Sequence, residues 1–151
     1  MASGVGVRRI YVLAMSILIA TGCVRVSSAG ERPPPLVVTA GDGRLDLQPH
    51  TVCWATGTGG YCADGTPPDP LPNLGEIEEN IEVSWPFGGW EFVASIHEDD
   101  VEVANVELVE QAGVRVIEVD DLDGIYDVSL SGFGPQGDVH YQFSFEVVPA
   151  G

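Results

Sequence analysis

Two groups of residues in this 151-residue chain have types and spacings that could do chemistry by themselves. The first is acidic: Glu76, Glu78, Glu79 and Glu82; then Glu98, Asp99, Asp100 and Glu102; then Asp120, Asp121, Asp123 and Asp127. Calcium takes about six to eight oxygens from converging loops, and Asp-rich turns between strands can supply them. Asp120, Asp121, Asp123 and Asp127 are the candidate ligands. Asp121-Leu122-Asp123-Gly124 matches part of a helix-flanked calcium loop, but that register puts Val119 and Leu130 at the terminal ligand positions. The competing reading is a solvated acidic surface that keeps the domain soluble.

The second group is aromatic. Trp85, Phe87 and Trp90 surround the turn Pro86-Phe87-Gly88-Gly89. Three rings there could stack on a sugar or anchor a protein partner, because rings offer large contact area at low entropic cost. Against this, Ile81, Val83 and Trp85 alternate, and so do Trp90, Phe92, Ala94 and Ile96. Alternation places both tryptophans on the inward faces of their strands, as caps on a core. Phe87, inside the turn, is the hardest of the three to bury. Trp54 is expected to pack against its neighbour Cys53 or the core.

Catalytic and metal motifs are scarce. Gly-x-Ser-x-Gly is absent, and a chain with no lysine cannot carry Ser-x-x-Lys. Gly57-x-Gly59-Gly60 is not followed by a helical pattern that would cradle phosphate. His50, His97 and His140 are far apart, with no Cys-x-x-Cys or His-Glu-x-x-His to suggest zinc. A Ser–His–acid set assembled in space stays open, since triads need not be local in sequence. Pairs of acids suited to glycoside hydrolysis are numerous, as any surface this acidic would make them.

Charge narrows the partners. Six arginines stand against 23 acids, a net charge of −17. Such a chain cannot neutralise a row of phosphates, which excludes nucleic acid, nor dock electrostatically on anionic lipid. With 44% hydrophobic residues in alternating positions, it is not disordered. Nineteen glycines and 11 prolines suit a turn-rich all-β domain.

The elements that must position these residues read as strands. Val139, Tyr141, Phe143, Phe145 and Val147 share one face, opposite His140, Gln142, Ser144 and Glu146. Ile81–Ile96 reads as a β-hairpin with a Gly-rich tip. Shorter runs are Leu36–Ala40, Arg44–Leu47, Thr51–Ala55, Val101–Val109, Val114–Val119 and Ile125–Leu130. In Val101–Val109 the apolar spacing shifts at Asn105, so a short helix is the alternative there. Strands every eight to twelve residues or so predict a two-sheet sandwich.

The N-terminus reads as a secretion signal. Arg8 and Arg9 precede the apolar run Ile10–Ala20, whose 11 residues would span about 16 Å as a helix, short of a bilayer core of roughly 30 Å. The run ends in Ala20-Thr21-Gly22-Cys23, which resembles the lipobox of bacterial lipoprotein signals, although leucine is usual where Ala20 stands. The resemblance implies that residues 1–22 are removed and that Cys23 is lipidated at the new N-terminus. That anchors the domain to the extracytoplasmic face of the cell membrane and leaves four arginines against 23 acids, a balance of −19. An ordinary signal peptide cut near Ser28-Ala29-Gly30, giving a secreted protein, is the alternative. Residues 23–35 then form a Pro-rich tether, reaching roughly 37 Å over its twelve residues after Cys23. With Cys23 taken by lipid, Cys53 and Cys62 remain as a pair in an oxidising compartment, and a structural disulfide is expected.

Leu122-Asp123-Gly124-Ile125-Tyr126-Asp127-Val128 resembles the corner entering a late strand of immunoglobulin-like sandwiches. The resemblance implies a Tyr126 hydroxyl tied back to backbone, and residues 36–149 as a single immunoglobulin-like β-sandwich. Cys53 and Cys62 are too close in sequence for that fold's bridge between sheets. The layout resembles small bacterial lipoproteins without assigned chemistry. The expected role is a non-catalytic binding or accessory module at the cell surface with an envelope protein as partner. A calcium- or cell-wall-glycan-binding module, or an envelope hydrolase, are the alternatives.

Overall fold

The fold is that of a computed structural model, described for Gly30 and residues 32–148. The signal segment 1–22, Cys23, residues 24–29 and Pro149 lie outside the described residues. Eleven strands follow in order: β1 Leu36–Ala40, β2 Gly43–Leu47, β3 Thr51–Thr56, β4 Gly59–Asp64, β5 Asn73–Ile77, β6 Ile81–Ser84, β7 Glu91–Glu98, β8 Val101–Leu108, β9 Val114–Ile117, β10 Gly124–Gly134 and β11 Gly137–Val147. Among the described residues there is no helix, so none long and apolar enough to cross a membrane.

The predicted sandwich is present. One sheet has the order β2-β1-β6-β9, the other β4-β3-β11-β10-β7-β8. All pairings are antiparallel except that of β5, which joins β11 in parallel alongside its C-terminal half. β10 and β11 form a long hairpin through the centre of the larger sheet, closed at Gly134 and Gly137. On it Val139, Tyr141, Phe143, Phe145 and Val147 all face the core, none more than 9% exposed. They meet Leu36, Val38, Ile81, Val83 and Ile117 from the smaller sheet. Burying such a side chain fully contributes about 1.5–3 kcal/mol, which makes this two-sided apolar layer the main source of stability.

One sequence reading needs correction. Ile81–Ile96 is not a hairpin: β6 lies in one sheet and β7 in the other, and Pro86–Gly89 carries the chain across the end of the core. Both flanking strands keep the expected alternation, which reports the buried face but not the neighbour. The run at Val101–Val109 is strand over Val101–Leu108, as expected, and the short-helix alternative falls. Its shift of apolar spacing comes from a β-bulge: Glu102 pairs with His97 and Ala104 with Ile96, leaving Val103 as the extra residue. The Gly-rich stretch between the cysteines is a tight β3–β4 turn around Gly57-Thr58. Pro33, within the expected tether segment, is buried. Strands β4 and β5 have no counterpart in the sequence reading, because β4 is exposed throughout and β5 spans five residues interrupted by Gly75.

The corner at Tyr126 has the expected form. Its hydroxyl donates to the Asp123 carbonyl and accepts from the Asp123 amide, both at 3.1 Å.

Candidate functional site

The aromatic residues collect at one end of the sandwich, inside it. Trp54, Trp85 and Trp90 are 2%, 6% and 4% exposed. Trp90 stacks on Trp54 at 5.7 Å and on Phe92 at 6.1 Å, and is tilted against Trp85 at 5.1 Å. Phe87 is half-buried, 5.9 Å from Trp85 and 6.1 Å from Trp54. Trp85 and Trp90 therefore present no open face to a ligand, and Phe87 leans on the same cluster. The Trp54 indole N–H donates to the Gly30 carbonyl at 3.0 Å, so the tether joins the domain at this aromatic end.

A charged residue shares this interior. Arg115 on β9 is 1% exposed. Its Nη2 donates to the Trp90 carbonyl at 2.9 Å and to Glu110 Oε2 at 2.6 Å, and its guanidinium lies 5.0 Å from the Phe92 ring centroid. In Val114-Arg115-Val116-Ile117 only the position of Ile117 two residues on marks Arg115 as inward-facing. The Arg115 Nε and Nη1, Trp85 Nε1 and Tyr141 hydroxyl are buried without a hydrogen-bond partner among the described residues.

Tyr141 carries a pH consequence. Burial raises its pKa above the ordinary value, because the phenolate would be desolvated. A phenol held neutral in the folded state but free to ionise once unfolded favours folding below about pH 10 and loses that contribution as pH rises further. Tyr141→Phe is expected to keep or slightly raise stability at pH 7, since an unpartnered hydroxyl is removed. It should also flatten the loss above pH 10. Urea melts at pH 7 and pH 11 would check this, and an unchanged alkaline loss would exclude Tyr141 as its source.

Cys53 and Cys62 are bonded as a cross-strand pair of β3 and β4, with Cα atoms 4.0 Å apart. The bridge lies within one sheet and closes a short loop, worth about 2–3 kcal/mol against the unfolded chain. It staples a strand that buries nothing of its own.

The three acidic clusters lie at the end opposite the tryptophans, spread over the β5–β6, β7–β8 and β9–β10 connections and the strand ends beside them. Glu98-Asp99-Asp100-Val101 is the β7–β8 turn, with φ of 48° at Asp99 and 65° at Asp100. Aspartate tolerates this left-handed backbone, so the residues serve the turn. Asp120, Asp121 and Asp123 belong to the β9–β10 connection, whereas Asp127 sits on β10 opposite His97 and Ser144. Among the described residues no three His, Cys, Asp or Glu side chains come together as metal ligands.

The β10–β11 hairpin brings together a serine, a histidine and an acid. His140 Nδ1 lies 2.9 Å from Ser131 Oγ, and its Nε2 is 3.5 Å from Asp138 Oδ2. His50 and Thr51 line the same shallow depression on the outer face of the larger sheet. Cross-strand pairing of Ser131 with His140, set by the hairpin register from Gly134 and Gly137, creates the contact. It has the nucleophile, base and acid of an acyl-transfer site. However, β10 is paired on both sides at Ser131, to His140 and to Val93. Its ladder leaves no backbone N–H there to receive an oxyanion.

The most developed concavity is on one long side of the sandwich. The other side is closed by β5, which contacts β1 and β2. Here β8 and β9, each the edge of its sheet, approach each other at only a few points, and a groove of about 760 Å³ lies along them. Ile96 and Tyr126 lie at its floor, and Val103, Val106, Val109 and Val116 along its walls. These valines are 46%, 38%, 68% and 40% exposed. Glu98, Glu107, Glu118, Asp120 and Asp121 rim it, and no basic side chain lines it. The connection Val109–Gly113 crosses between the sheets at one end, turned by positive φ at Ala112 and Gly113. Together these features define a small acidic β-sandwich with one unsealed edge.

No protein-family model matches the chain, and no curated protein shows significant sequence similarity to it.

Proposed function

We propose that this chain is a lipid-anchored accessory module of the bacterial cell envelope, held through Cys23 on the extracytoplasmic face, that binds a partner protein without catalysis. The observation that carries the reading is the open β8–β9 side. A sandwich with this core leaves a valine-lined groove unsealed, and contiguous exposed apolar surface rimmed by polar groups marks an interaction site. The lipobox-like Ala20-Thr21-Gly22-Cys23 supports the anchor, and the Cys53–Cys62 bridge suits an oxidising compartment. Gly30 is tied to Trp54 at the aromatic end. It stands seven positions after Cys23, a reach of at most roughly 25 Å. On this reading the tryptophan end faces the membrane while the acidic end points outward. The Ser131–His140–Asp138 contact favours a hydrolase instead, but without oxyanion donors it is the weaker reading.

Two measurements test the proposal. Cys23→Ala is expected to move the protein from the detergent phase into the medium, and continued detergent partitioning would remove the lipid anchor from the reading. Crosslinking on intact cells is expected to recover one envelope protein only with the anchored form. Equal recovery with the released form would separate partner binding from anchoring.

A further inference from the structure

Resting on the binding-module reading, the geometry points to the class of partner: we propose that the β8–β9 groove takes an extended, basic segment of another protein, which adds to the free edge of β8 as one more strand. β8 pairs with β7 along one side, and in the sheet order nothing follows it on the other. An edge strand in that position offers a row of unpaired N–H and C=O groups. Folded proteins usually blunt such edges with lysine, proline or a covering element, and β8 carries no lysine or proline.

One blunting device is present, and it locates the site. The bulge at Val103 breaks the regular ladder, leaving Ala104–Leu108 as the continuous stretch. An added strand of about five residues fits there, its alternate side chains entering the groove against Val106, Val109 and Val116.

Charge selects the occupant. Every ionisable group on the groove's rim is a carboxylate, and β8 itself adds Glu102 beside Glu107. A second copy of this chain, with its own −17, would bring like charges together along the seam. Alternating lysine or arginine with apolar residues is the pattern that satisfies both the valines and the carboxylates. A neutral glycan would leave the edge amides and the rim charges unmatched.

The test uses the full chain in detergent and three fluorescein-labelled hexapeptides: alternating lysine and valine, its glutamate–valine counterpart, and the lysine–valine peptide N-methylated at alternate residues. Fluorescence anisotropy is expected to show saturable binding of the first alone. Binding should weaken at least about tenfold with the exposed-site variant Val106→Lys, and measurably with Asp120→Asn/Asp121→Asn, with unchanged melting temperatures. Hydrogen exchange should show new protection within Ala104–Leu108. Failure of the lysine–valine peptide to bind, or equal binding of either control peptide, would overturn the proposal. So would new protection on the His50–His140 face instead. If cell-surface crosslinking still recovered a partner through another face, the groove assignment would fall and the binding-module reading would stand.

Discussion

Trp90→Ala is expected to lower the stability of the folded domain by about 3–5 kcal/mol, the cost of deleting a large core aromatic. The ring stacks on Trp54 and Phe92 and lies over Gly134, where an added Cβ would fall 2.3 Å from the indole. The bare strand at Gly134 is what allows the indole to sit that close. Removing the ring opens a cavity bounded by Trp54, Trp85 and Phe92, and none of these can collapse into it without losing its own contacts. The Nε1 bond to Gln136, 2.8 Å long, is lost as well. Against a total stability of about 5–15 kcal/mol, this would bring the domain near unfolding at 37 °C. Phe87→Ala is the contrast. Half-buried at the cluster's rim, Phe87 should cost less than about 2 kcal/mol. Urea denaturation followed by far-UV circular dichroism measures both. A Trp90→Ala loss below about 1 kcal/mol would show that the ring is not core, and would return the aromatic end to the list of binding surfaces.

Gly137→Ala is expected to cost more than about 3 kcal/mol, for a reason of backbone rather than side chain. Gly137 has φ +135°, and a Cβ there would lie 2.0 Å from the Cys53 carbonyl oxygen and 2.9 Å from its carbon. Both obstructing atoms belong to β3, which pairs with β11 at this point, Gly137 opposite Trp54. No rotamer change relieves the clash. The strand must part from β11, and the β3–β4 ribbon with its disulfide would go with it. Gly59→Ala is the control, since nothing lies within 4 Å of its Cβ position, and it should stay within about 0.5 kcal/mol of the parent. Thermal melting of the two variants decides the matter. A Gly137→Ala melting temperature within a few degrees of the control would mean that β3 tolerates separation from β11.

Both predictions rest on features that were unequally legible in the sequence. That Trp90 faces inward follows from alternation with Phe92, Ala94 and Ile96, a property of the strand itself. That Gly137 meets Cys53, 84 positions away, follows only from the β3–β11 ladder. The candidate sites divide in the same manner. Asp99 and Asp100 can be read as turn residues from their chemistry, once the strands flanking them are known. The Ser131–His140–Asp138 contact needs only the register of the β10–β11 hairpin, whereas the β8–β9 groove leaves no mark in any local window.

The sequence by itself determined which faces of these strands are buried and that the chain is all-β. Each depends on residues a few positions apart, where side-chain period and local backbone geometry act directly. Tertiary structure alone decided that β6 and β7 belong to different sheets, that β5 closes one side of the sandwich, and that the other side stays open. Those outcomes depend on which ladders form between distant strands. An exposed edge and a paired one are written with the same alternating residues, so pairing is settled only when the whole core is assembled.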